Sequence, residues 1–467
     1  MGNLLSGIHT ALRSMIAQQQ AMQVTEHNVA NAATEGYHRQ EAVLTPGAPY
    51  APPSLNRPYY QGQIGTGAVV DRIRRYSMDF LDTRYRAEIA ESSRWSTKQE
   101  VLAQVEATLG EIGSDGLVGR LDAFWDGWQA LSVDPANLAV RADLVERADE
   151  LGRALNWRAV QLRTLRKDQD LAIQDRVGEI NDLATQISRL NVEIASVYSV
   201  GDQPNDLLDR RALLLDRLSE VTGAVSYIQD DGEVLVSIGG HALVVGTETF
   251  QLEVSPDPAN DNLAAIAWED GQAFEPGSGE IAGLLEARDE DIAEQLAALD
   301  DVASEVISST NSLHNTGYGL NNAHGLDFFS GTDALSISVD PLMNALENIA
   351  AASLADAPGD GSIAMQLASE RDRLIMASGT ATIGAYYTQK TASLGLAVQT
   401  ASTRAADREL VANALYDQRE SVVGVSLDEE ATKLVESQRI YEALARMMTT
   451  LDDMLDRVIN GMGRVGL

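Results

Sequence analysis

The side chains of this sequence whose types and spacing could do chemistry are few and scattered. Asp206 and Asp209 stand three residues apart after Pro204, which puts both carboxylates on one face of a helix. Such a pair invites an acid–base or metal reading. Helix capping and pairing with arginine account for it as well, and no histidine stands near to complete a ligand set. His314 and His324 flank a glycine-rich loop, and no third ligand follows at a matching spacing. The acidic turn Asp230-Asp231-Gly232 lacks the ligand spacing of a calcium loop and reads as a hairpin turn. Cysteine is absent, which excludes a thiolate nucleophile, a Cys-held zinc and a disulfide frame. The sequence contains no P-loop, no Gly-x-Ser-x-Gly and no His-Glu-x-x-His. The expectation is therefore no catalytic residue, no cofactor and no metal.

Composition narrows the partners. With 467 residues, of which 44% are hydrophobic, the chain can build several cores. A formal net charge of -34 leaves no basic stripe to displace counterions from nucleic acid, and it disfavours anionic membrane surfaces. No apolar run reaches the roughly 18–20 residues that span a bilayer, so no membrane insertion is expected. The N-terminus lacks the basic and apolar regions of a Sec-type signal. Absent cysteine suits export without oxidative folding, although many cytosolic chains lack it too.

The elements that must hold the chain together lie at its two ends. Leu427, Ala431, Leu434, Gln438 and Tyr441 alternate in steps of four and three. After one three-residue slip, Leu444, Met448, Leu451, Leu455, Val458 and Met462 continue the pattern. This is the stripe of a coiled-coil seam, with Asp428, Glu429 and Glu430 at the positive end of its helix. At the other end Leu5, Ile8, Leu12, Met15, Gln19, Met22 and Val29 follow the same alternation, with one more turn, Glu26, left polar. The two stripes are expected to pair, with everything between them an excursion from that base. The first helix stops at Asn31, and Thr34 to Tyr37 reads as a tight turn around Gly36. Residues 45–66, rich in Pro, Gly and Tyr, read as an extended connector, and Val69 to Arg75 as a short strand. Long helical patterns follow at 79–110, 116–132, 136–198, 281–314 and 380–421. The aromatics Phe124, Trp125 and Trp128 read as core. Near Thr222 the period changes to two, and five short strands follow before Gly277.

Two stretches carry a family resemblance. Asn28-Val-Ala-Asn31-x-x-Thr34-x-Gly36-Tyr37-x-Arg39-Gln40 resembles the N-terminal signature of the bacterial flagellar axial proteins of rod, hook and hook-associated type. Its Tyr-x-Arg-Gln ending, and the segment Gly201-Asp-Gln-Pro204-Asn205-Asp206-Leu-Leu-Asp209-Arg-Arg211, are similar to the hook-associated protein 1 family. His27-Asn28 stands where the family usually has two asparagines. The resemblance implies an extracellular flagellar subunit without a cleavable signal peptide, forming a ring with itself at the junction of hook and filament. Hook protein and a second hook-associated protein would lie on either side, and an export chaperone would bind the C-terminal helix. The fold class expected is mainly α and elongated, with paired terminal coiled-coil helices, a helical bundle and an all-β insertion at the outer end. Residues 1–50 and 425–467 would form the base. Residues 51–222 and 278–424 would form the bundle, with a strand and loop region near 317–341, and 223–277 the β insertion. The alternatives are another axial subunit (rod or hook), or a secreted hydrolase with carboxylate catalysts, which would show converging carboxyls with perturbed pKa values.

Overall fold

Apolar positions at helical spacing become helix through most of this chain. The structure is a computed structural model and describes residues 2–48, 65–110, 116–229 and 232–461. Helix α1 spans Gly2–Ala30, and strands β1 (Gln40–Pro46) and β2 (Ala68–Arg75) form an antiparallel hairpin. Most of the expected connector, 49–64, lies outside the described residues, as do Asp230, Asp231 and Met462. Helices α2 (Asp79–Leu109), α3 (Leu117–Val133), α4 (Leu138–Ser199) and α5 (Asn205–Thr222) follow. Gly152 and Gly178 do not interrupt α4, which runs 62 residues. Its buried line Val177, Ile180, Leu183, Ile187, Leu190 and Ile194 is the heptad that the spacing predicts.

The all-β segment is not one sheet. Strands β3 (Val225–Ile228), β4 (Val234–Ile238), β5 (His241–Val245) and β6 (Glu248–Thr249) form one antiparallel sheet in that order. β7 (Leu252–Asp257) and β8 (Leu263–Trp268) form a separate hairpin. Chain compactness divides between them. One unit comprises Met1–Ile89, Ile180–Gln251 and Leu410–Leu467, and the other Ala90–Glu179 and Leu252–Glu409. Of the segment 223–277, the first sheet thus falls in one unit and the β7–β8 hairpin in the other. The alternating pattern specifies strands, but it does not say which neighbour each hairpin packs on.

In the second unit α6 (Glu280–Glu286) continues through a π-turn, Ala287–Asp291, into α7 (Ile292–His314). The π-turn directs the buried Arg288 to Asp170 of α4 and to the carbonyl of Ala264 in β8. Phe124, Trp125 and Trp128 of α3 are core, packed among Phe328, Phe329 and His314. The short strands β9 (Phe329–Ser330) and β10 (Ser338–Val339) pair there, and α8 (Ser362–Ser369) lies against α3.

In the first unit α1 packs on the last helix, α10 (Leu427–Gly461), which follows α9 (Ile383–Val423). Asn28 meets Glu430, and a Cβ added at Gly7 would lie 3.2 Å from Leu451. The two helices therefore run antiparallel, and both ends of the chain pair as expected. The stripes that meet are not quite those of the apolar pattern. On α10 the alternation runs unbroken through Glu430, Leu434, Ser437, Tyr441, Leu444, Met448, Leu451, Leu455 and Val458. No slip is needed, because Ser437 replaces Gln438 and Glu430 replaces Ala431, while Leu427 is exposed. On α1 the line facing inward is Leu4, Gly7, Ala11, Ser14, Gln18, Ala21, Thr25 and Asn28. Leu5 and Leu12 of the expected seam are exposed, and Ile8, Met15 and Met22 are half-buried flanks. The physical reason is size. Leu451 of α10 lies against Gly7 of α1, where a larger side chain would hold the two helices apart. The large apolar residues of α1 are left on the outside.

Candidate functional site

The two family-like stretches fold into one polar clasp at the upper end of that helix pair. It begins where α1 stops. The Asn31 side chain donates to the carbonyl of His27 (3.0 Å), and Thr34 N–H donates to the Asn31 carbonyl (2.9 Å). Ala32 N–H reaches the carbonyl of Val29, so two carbonyls of the last turn, those of His27 and Val29, are met. Gly36 then takes φ +73°, a left-handed conformation that side chains disfavour, and turns the chain back. A Cβ at Gly36 would meet Leu213 of α5 at 3.4 Å, so the turn is also a packing surface.

Asn28, fully buried, is the hub. Its amide nitrogen donates to the carbonyl of Gln40 and to Glu430 Oε2, each at 2.8 Å. Its amide oxygen accepts from the Tyr37 hydroxyl (2.8 Å) and from Gln40 N–H (2.9 Å). All four hydrogen bonds of one side chain are thus made to three other elements. Burial, reinforced by Asp206, Asp209 and Glu430, pushes the Tyr37 phenol well above its ordinary value, so it stays a donor. Arg39 reaches Glu429 at 2.7 Å, lies 3.6 Å from Glu430 and stacks over Tyr76. Its N–H donates to the carbonyl of Val423, just before α10 begins.

The second stretch enters from α5. Pro204 stands at its N-cap, and Asn205 donates to the side-chain oxygen of Gln40 (3.1 Å) and to the carbonyl of Ile73 (3.0 Å). Gln40 returns a hydrogen bond from its own amide to Asp206 (2.9 Å). Buried Asp209 accepts from His38 N–H, forms an ion pair with Arg75 (2.6 Å) and lies 2.8 Å from the His38 ring. Asp206 and Asp209 are therefore structural acceptors. Asn28, Asn31, Thr34, Gly36, Tyr37, Arg39, Gln40, Pro204, Asn205, Asp206 and Asp209 all lie in this region. The sequence reading did not place His38, Arg75, Tyr76, Glu429 or Glu430 in this site. Glu430 was legible only as a helix-start acid, because nothing in its spacing says that it is buried.

The remaining candidates are also bound into structure. His314 donates from Nδ1 to the carbonyl of Leu326 (2.6 Å), and its Nε2 accepts from Ala350 N–H (2.9 Å). His324 contacts the carbonyl of Gly317 and stacks on Tyr318. No group of three or more potential metal ligands gathers among the described residues. The carboxyls pushed up by burial, Asp291 and Asp300, are each tied to a structural partner, Lys98 and the N–H of Ala334. No helix among the described residues is long and apolar enough to cross a membrane.

Comparison with known proteins agrees with this geometry. Residues 102–329 match the family described as the flagellar hook-associated protein FlgK helical domain, and residues 419–461 the flagellar basal body rod FlgEFG protein C-terminal family. Flagellar hook-associated protein 1 of Bacillus subtilis (strain 168) is 31% identical over 504 residues, covering 99% of both chains. The protein of that name from Salmonella typhimurium is 29% identical over 69% of this chain and 59% of its own length. The structure of the flagellar hook junction protein FlgK from Burkholderia pseudomallei has the same fold over 73% of this chain and all of its own (TM-score 0.65, 16% identity).

Proposed function

This chain belongs to the flagellar hook-associated protein 1 family, and from that premise we propose that its clasped terminal helices are the part that assembles. The protein is a structural subunit of the flagellum, at the junction of hook and filament. It acts by packing rather than by catalysis, and its carboxylates serve as acceptors and ion-pair partners. Segments 1–50 and 425–467 form the base through which copies associate into a ring, and the intervening chain carries the outer parts. Hook protein lies on one side of that ring and a second hook-associated protein on the other. Before assembly, the C-terminal helix is the segment that an export chaperone covers.

The observation that carries this reading is the union of both chain ends at Asn28 and Glu430. It makes one base from residues 402 positions apart and leaves large apolar residues of α1 and α10 outside. Exposed apolar residues along a helix mark a surface that a partner covers. The pair is strong at the clasp and marginal at its far end, where half-buried leucines meet small residues. Ordering of that far end is therefore coupled to association. Copies near -34 repel one another, so apolar contact must dominate.

The test is electron microscopy of cells lacking the gene, with the medium assayed for shed filament protein. Complete hooks without filaments, and filament protein in the medium, are expected. Missing hooks would move the subunit inward to rod or hook, and normal filaments would end the reading.

A further inference from the structure

The first unit holds an open groove beside the clasp. It encloses about 640 Å3 between the C-terminal half of α1, β2 and the turn from α4 into α5. Val24, Val70, Ile73 and Leu207 supply apolar lining, while His27, Gln203 and Asp206 supply polar groups. The Asp206 side chain is 69% exposed there, 3.5 Å from the His27 ring.

A complementary surface lies on the same helix. Leu5, Leu12 and Ile16 are 48%, 44% and 49% exposed, with Ile8 and Met15 half-buried beside them. Arg13 is exposed among them, and α1 has no acidic residue before Glu26. In a chain of net charge -34, this is a stretch that another copy can approach without meeting like charge. The stretch cannot fill the groove of its own chain. α1 is one continuous helix, and Leu12 stands roughly 18 Å along it from Val24, which lines the groove.

We infer that the groove receives the Leu5–Ile16 face of α1 from a second copy, with Arg13 of that copy set against Asp206. The inference rests on the structural-subunit reading and adds to it the contact between copies. The two surfaces differ, so the contact is heterologous and repeats head to tail, closing into a ring or continuing as a helix according to the rotation it imposes.

Because the chain has no cysteine, an introduced pair is unique. The full chain carrying Leu12→Cys and Gln203→Cys replaces the native one in cells, flagella are isolated and oxidised with copper phenanthroline, and the products are separated without reductant. A ladder of dimers, trimers and higher species is expected, and adding Arg13→Glu should remove it. Either cysteine alone should leave monomers. Three results overturn the inference: a chain present in flagella that stays monomeric, a dimer from Leu12→Cys alone, or a ladder formed by Leu12→Cys with Met454→Cys instead. If the first pair keeps the chain out of flagella, Leu5→Cys with Gln23→Cys tests the same contact. Absence of the cysteine-free chain from flagella would instead defeat the structural-subunit reading.

Discussion

Replacing Asn28 tests the clasp at its hub. In Asn28→Ala the Tyr37 hydroxyl and both the N–H and the carbonyl of Gln40 lose buried partners at 2.8–2.9 Å, and Glu430 loses a donor. Each unsatisfied buried group costs about 1–3 kcal/mol, and since neighbouring losses are not additive the sum is on the order of 3–5 kcal/mol. Asn28→Asp keeps the shape but sets a second carboxyl 2.8 Å from Glu430. Two carboxylates that close cannot both ionise, so the folded pair binds a proton that the unfolded pair releases. A pKa raised by folding gives stability that is present below the unfolded value, about 3.9 for Asp, and is lost as pH rises through the folded value. Asn28→Asp should thus approach the native chain at acid pH and fall away toward neutrality, while Asn28→Ala is low throughout. A chain with two units does not unfold in one step, so a global melting temperature is the wrong reading. Hydrogen exchange of the amides in the first three turns of α10 reports the clasp alone. Loss below about 1 kcal/mol in Asn28→Ala, or a pH-independent Asn28→Asp, would show that Asn28 does not hold the ends together.

Other expectations follow from the same geometry. Burial pushes His314 down to about 4, below the ordinary 6.5, so the second unit should lose stability as pH falls from about 6.5 through about 4; calorimetry should show His314→Gln less stable at neutral pH but with that slope flattened. Along α10, protection from exchange in the isolated chain should be high near Glu430 and low beyond Leu451, and uniform protection would contradict coupled ordering. Leu451→Ala should scarcely change the isolated chain yet lower its incorporation into flagella, scored by immunoblot of isolated filaments with hooks. Gly36→Val forces a branched side chain to φ +73° against Leu213, and should cost about 2 kcal/mol or more in clasp protection. Raising ionic strength should increase self-association measured by sedimentation, since it screens repulsion between copies of charge -34.

How far the fold could be read varied with the physics of each element. The long heptad of α4 and the aromatic core of α3 were legible because bulky apolar residues there face inward. On α1 the same rule named a stripe in which Ile8, Met15 and Met22 are half-buried but Leu5 and Leu12 are exposed. Leu5 and Leu12 stand outward while Gly7 lies against Leu451 of α10 and Ala11 is buried, because close approach selects small side chains. On α10 the expected stripe from Tyr441 to Val458 is the half-buried one. Before that it shared Leu434 but took Ala431 and Gln438 in place of buried Glu430 and half-buried Ser437, which do not look like seam residues. The clasp was legible as motif residues but not as a network. The hydrogen bonds from Asn28 to Glu430 and from Asn205 to Gln40 depend on distant turns meeting, and no local spacing records that. The strands of 225–268 were visible from their period, whereas their division into two sheets depends on packing partners that the period does not encode.

The clasp also makes the subunit self-checking for completeness. It closes only when residues near 28–40, 205–209 and 429–430 are all present, and its longest hydrogen bond in sequence spans 402 positions. Closure over so long a loop is late in folding, after local helices have formed. A chain cut short anywhere before Glu430 can fold much of its interior and still lack the anchor for its first helix. Such a fragment leaves Asn28 without its partner on the last helix, so, under the proposed assembly, truncated copies are expected to be under-represented in isolated flagella.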